Sequence, residues 1–98
     1  MKLDNTGFII YQSEVAKMPL YDDPLLGLMG EVGEVVELIK KDRRKIRRKV
    51  LSQEDLASEL GDVLWYLTRL ANENGLVLAD IAQGNLDKLE ERHKEVTD

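Results

Sequence analysis

No cysteine occurs among the 98 residues, which excludes a disulfide framework, a thiolate zinc site and a cysteine nucleophile. Aromatic side chains make up 5% of the chain, a share that suits a helical protein better than a sandwich or barrel. No apolar run approaches the roughly eighteen residues of a membrane helix, and the N-terminus carries no basic segment followed by an apolar one. Neither a membrane span nor a signal peptide is expected, and the default compartment is the cytoplasm. The formal net charge of -5 argues against a surface built throughout for nucleic acid, and no specific nucleic-acid partner is expected.

What is present is apolar periodicity without a change of composition along the chain, so residues 1–98 are read as one domain. A domain of this size buries only about two-thirds of its unfolded surface, so its core is thin unless subunits share one, and association is expected. Phe8, Ile9, Val15 and Ala16 recur at helical spacing between Gly7 and Met18, ahead of Pro19. Asp22-Asp23-Pro24 suits a helix start, and Leu25, Leu28, Met29, Val32, Val35, Val36 and Ile39 continue the period. From Lys40 to Lys49 eight of ten residues are basic and the apolar pattern lapses, so this segment is read as a connection. Ser52 and Asp55 resemble a capping box before Leu56, Leu60, Val63, Leu64, Leu67 and Leu70. Asn72, Asn74 and Gly75 then signal a stop before a last helix over Leu78, Ile81, Leu86 and Leu89. The class is all-α, a four-helix bundle whose two long central helices run antiparallel.

Acidic residues carry the chemistry. Glu31 and Glu34 lie on the second helix and Glu59 and Asp62 on the third, each pair spaced i, i+3, which sets two carboxylates one turn apart on one face. Across an antiparallel pair the four acids face one another. Carboxylates gathered so closely repel unless hard cations neutralise them. Magnesium, with oxygen ligands and retained waters, is the natural candidate, and its usual partners are one or two carboxylates and substrate phosphates. Acids at this spacing are commonplace on solvated faces, but Val32, Val35 and Val36 interleave with one pair and Leu60, Val63 and Leu64 with the other, so both border apolar surface. Gly27, Gly30, Gly33 and Gly61 fall among them, each costing roughly 0.5–1 kcal/mol of helix stability against alanine. Either close helix approach or room for metal and phosphate offsets that cost.

At these residues the chain resembles the MazG family of all-α nucleoside triphosphate pyrophosphohydrolases, whose hallmark is E-x-x-E followed after a spacer by E-x-x-D. Gly27–Val35 resembles the family's second helix, Glu59–Leu67 its third and Asn85–Arg92 its last, so the likeness spans roughly residues 20 to 95. The resemblance implies that Glu31, Glu34, Glu59 and Asp62 hold Mg2+, with Mn2+ as a substitute, and that Asn85 and Lys88 contact the nucleotide or its phosphates. Trp65 and Tyr66 follow the second acidic pair, and either offers a face for a base or a side for core packing. The implied reaction cleaves a nucleoside triphosphate between the α and β phosphorus atoms, giving a monophosphate and pyrophosphate, with Glu34 or Glu59 accepting the proton of a metal-bound water. Glu37 extends the acidic row, where it serves as an outer acid or solvates the helix. Families of this type form homodimers or homotetramers, and nucleotide-pool house-cleaning is the implied role.

Arg43, Arg44, Lys45, Arg47, Arg48 and Lys49 are read either as a solvated loop or as phosphate contacts. A ferritin-like di-metal reading rests on Glu90 and His93, but that design needs two Glu-x-x-His pairs and this chain has one histidine. A non-catalytic nucleotide-sensing or regulatory module on the same scaffold is the other alternative.

Overall fold

The computed structural model describes residues 1–20, 22–44 and 52–97. It is all-α: four helices, α1 Thr6–Ala16, α2 Pro24–Arg44, α3 Gln53–Glu73 and α4 Leu78–Thr97, with no strand among the described residues. Among the described residues no helix is long and apolar enough to cross a membrane.

The helix boundaries follow from their caps. Asp23 accepts the backbone N–H of Leu25 at 2.8 Å through Oδ1, and Pro24 behind it occupies the first helical position, where a missing N–H costs nothing. Ser52 Oγ accepts the N–H of Asp55 at 3.2 Å and starts α3 in the same way. α3 ends in a left-handed turn at Gly75, φ 66°: the N–H of Leu76 reaches the carbonyl of Ala71 at 2.9 Å and that of Gly75 the carbonyl of Asn72 at 3.3 Å, the paired bonds of a Schellman motif. One boundary differs from the reading of the sequence. α2 continues through Lys40–Arg44, where a connection was expected, because lysine and arginine are good helix formers even where the apolar period stops. Residues 45–51, which include the remainder of that basic segment, lie outside the described residues.

The residues group into two compact units, 1–18 with 71–98, and 19–70. In the first, α1 packs on α4, and Val15, Ala71, Leu78 and Ala79 are fully buried. Two glutamines organise it. Gln12 donates to the side chain of Asn72 and to the carbonyl of Leu76, both at 2.8 Å, and accepts the N–H of Leu78 at 2.7 Å. Gln83 accepts the N–H of Leu3 and donates to the carbonyl of Met1, each at 2.8 Å, which fastens residues ahead of α1 to α4.

The second unit is a hairpin of α2 and α3. Glu31 meets Glu59 and Asp62, while Asp22, ahead of α2, meets Tyr66 further along α3. Contacts that run in opposite senses along the two helices make the pair antiparallel, as expected. Leu28, Val35 and Leu38 of α2 and Leu56, Val63 and Leu70 of α3 are half-buried on the inner faces. Outside that seam each helix carries an exposed apolar stripe, Leu25, Met29, Val32 and Val36 on α2 and Leu60, Leu64 and Leu67 on α3, with exposures from 37% at Leu67 to 66% at Met29. Each stripe is turned from its inner face in the same rotational sense, by about a third of a turn on α2 and about a fifth on α3. In antiparallel helices that places both stripes on one side of the hairpin.

Candidate functional site

Glu31 sits in the half-buried row of α2, next to Leu28 and Val35, and Glu59 in the corresponding row of α3, next to Leu56 and Val63. Asp62 is exposed at the edge of that row. One carboxylate oxygen from each of the three lies within 4.8 Å of the others. Octahedral Mg2+ at about 2.1 Å from each oxygen holds its ligands roughly 3 Å apart in cis and 4.2 Å in trans. Three ligands of one octahedron have at most one trans pair, so at least two of these spacings would close to about 3 Å on metal binding, a change of at most about 1.8 Å.

The electrostatics report the same crowding. The Glu31 carboxyl is pushed up to about 7, first by a hydrogen bond shared with Glu59, then by partial burial and by the charges of Asp62, Glu59 and Glu34. A carboxyl group that keeps its proton near neutral pH in order to live beside other carboxylates marks a place where positive charge is wanted. The donor set is all hard oxygen, which suits Mg2+ or Mn2+ and not a soft metal. Among the described residues no other group of three acids and histidines is close enough to hold a metal. Glu90 instead pairs with the amino group of Met1.

Glu34 stands apart from the trio. It is exposed one turn beyond Glu31 on α2, near enough to act on Glu31 through its charge but outside the three-oxygen group. Glu37 is exposed further along, with Lys40 at 3.9 Å. Trp65 and Tyr66 are half-buried and meet edge to face, centroids 5.1 Å apart at 89°, while the Arg69 guanidinium lies 4.7 Å over the Trp65 ring. The Tyr66 hydroxyl donates to Asp22 at 2.8 Å. That bond, and the nearby charges of Asp22, Glu31 and Asp62, hold the phenol above its usual range.

The glycines separate into two kinds. A Cβ on Gly27 would overlap the Tyr66 ring, whereas one on Gly30, Gly33 or Gly61 would meet open space. Close helix approach accounts for the first, and open surface surrounds the other three. Asn85 and Lys88 are exposed on α4, in the unit of residues 1–18 and 71–98.

Sequence reading missed Gln12, Asp22 and Arg69. An aspartate next to the Asp23 cap was legible as part of a helix start, but not as a partner for a residue 44 positions away.

Residues 22–97, which contain both acidic pairs, match the family model of the MazG nucleotide pyrophosphohydrolase domain. The chain belongs to the MazG family. It is also similar to the Gene 37 protein of Mycobacterium phage L5, 44% identical over 70 residues that cover 68% of this chain and 60% of that protein. The chain thus spans less than two-thirds of the length of this relative. No solved structure matches the chain significantly.

Proposed function

We propose that this MazG chain hydrolyses nucleoside triphosphates to a monophosphate and pyrophosphate in a Mg2+-dependent reaction. The observation that carries the reading is the convergence of Glu31, Glu59 and Asp62 oxygens within 4.8 Å across an antiparallel pair. Glu31, Glu59 and Asp62 hold the metal, with Glu34 completing the set from the next turn of α2. When bound, the divalent ion neutralises charge on the phosphates and lowers the pKa of a coordinated water.

Glu34 or Glu59 takes the proton of the attacking water. Glu34 is favoured, because it lies beyond the three-oxygen group while Glu59 already shares a hydrogen bond with Glu31. The water oxygen bonds to phosphorus as the bond to the bridging α–β oxygen breaks, and pyrophosphate departs. Asn85 and Lys88 are assigned to the nucleotide or its phosphates. Either aromatic is assigned to the base: Tyr66, whose hydroxyl bonds Asp22, or Trp65, over whose ring Arg69 lies.

Residues 1–98 act as one domain, assembled as a homodimer or homotetramer through the apolar side of the α2–α3 hairpin. Its work is cytoplasmic removal of non-standard or excess nucleotides. The test incubates the protein with each common ribo- and deoxyribonucleoside triphosphate, with and without Mg2+, and assays pyrophosphate and orthophosphate. Metal-dependent pyrophosphate release supports the reading. Orthophosphate alone relocates cleavage to the outer phosphates, and no release from a folded protein favours a nucleotide-sensing module.

A further inference from the structure

Tyr66 is gripped from three directions within the hairpin. Its ring occupies the space that a side chain on Gly27 would fill, its hydroxyl donates to Asp22 at 2.8 Å, and the ring of Trp65 meets it edge to face. Two of those anchors belong to the α2 side. Among the glycines of α2, Gly27 alone faces a neighbour, while Gly30 and Gly33 face open space, so the tolerance for close approach is concentrated at one level of the hairpin.

That level is one turn from the carboxylates on both helices. Gly27 precedes Glu31 by four residues and Tyr66 follows Asp62 by four, about 6 Å along each axis, while Glu59 lies one turn further, about 10 Å from Tyr66. A shift in helix separation at Gly27 and Tyr66 therefore reaches Glu31 and Asp62 one turn away, and Glu59 two turns away. Divalent ions of the Mg2+ type tolerate little error in oxygen distance.

We propose that Tyr66 is a positioning residue: its ring against Gly27 and its hydrogen bond to Asp22 set the separation of α2 and α3 at Glu31, Glu59 and Asp62, and through it the affinity for the metal. This role rests on the metal reading given above. Tyr66 need not touch the ion. It acts as a spacer whose thickness is matched to the missing side chain at Gly27.

The test uses the full chain and Mn2+ alone as the probe, with free Mn2+ followed by electron paramagnetic resonance and helicity by circular dichroism. Gly27→Ala, which displaces the ring, and Tyr66→Leu, which removes it, are each expected to weaken Mn2+ binding roughly 10- to 100-fold, the range typical of groups that orient metal ligands. The double variant Gly27→Ala/Tyr66→Leu, which trades volume between the two positions, recovers most of that loss. Unchanged affinity in both single variants overturns the proposal, as does a double variant no better than the worse single one. If Gly27→Ala does not fold, Tyr66→Leu decides alone, because it adds no atom to the contact. A wild-type protein that binds no Mn2+ brings down the metal reading itself, a different result from wild-type binding that the variants leave unaltered.

Discussion

The side-chain oxygen of Gln12 accepts the backbone N–H of Leu78 at 2.7 Å, so α1 supplies the cap for a helix whose preceding residue, Val77, has no side-chain acceptor. The same amide also donates to Asn72 and to the carbonyl of Leu76. Gln12→Ala removes all three bonds at once. We expect it to lower stability by about 2 kcal/mol, the combined scale of a lost cap and of polar groups left without partners. Urea unfolding measures this directly, and a midpoint equal to wild type would show that water replaces the side chain.

Glu31 makes stability depend on pH in the direction opposite to that of a salt-bridged acid. Its folded value of about 7 stands above the ordinary 4.5, so the folded state holds the proton more tightly than the unfolded chain. The contribution is fully present below about pH 4.5 and is lost as pH rises towards 7. In metal-free buffer, Glu31→Gln should match wild type at the acid end and exceed it above neutrality. Unfolding at both ends of that window checks the sign.

The same proton must leave before a cation binds. Below about pH 7, metal binding is expected to release a proton and to weaken as the solution is acidified. Calorimetry in two buffers of different ionisation enthalpy detects the release, and identical heats in both would contradict it.

Replacing Glu34 or Glu59 with Gln separates ligand from base. Either change should reduce turnover by about 10²- to 10⁴-fold, the usual worth of a positioned proton acceptor, with helicity retained. Mn2+ affinity is expected to fall more for Glu59→Gln, whose side chain lies inside the three-oxygen group, than for Glu34→Gln. Full activity in either variant removes that residue from the mechanism.

Met29→Glu places a charge in the exposed α2 stripe. If this side joins subunits, sedimentation velocity should show wild type as a dimer or tetramer and the variant as a smaller species at equal concentration. A monomeric wild type would disprove the assembly.

Much of the architecture is legible from local chemistry. The Asp23 and Ser52 caps and the Gly75 turn each act within five residues, and the structure shows bonds at each. The convergence of Glu31, Glu59 and Asp62 follows from two i, i+3 pairs and an antiparallel crossing. The basic end of α2 was expected to be a connection because apolar periodicity reports burial, whereas lysine and arginine hold a helix by propensity without it. Glu34 cannot be told from Glu31 in sequence, since which of two acids one turn apart enters the seam depends on the rotation of the helix. Gln12 and Gln83 bond partners 60 to 82 positions away, and polar side chains at that range follow no period.

The exposed apolar side of α2 and α3 also bears on how the chain matures. In the assembly proposed above, a newly made copy with Leu25, Met29, Val32, Val36, Leu60, Leu64 and Leu67 still in water would complete its burial only by collision with another copy. That step is second order: the waiting time shortens as copies accumulate, and a thinly expressed chain spends longest in the form that proteases and chaperones recognise.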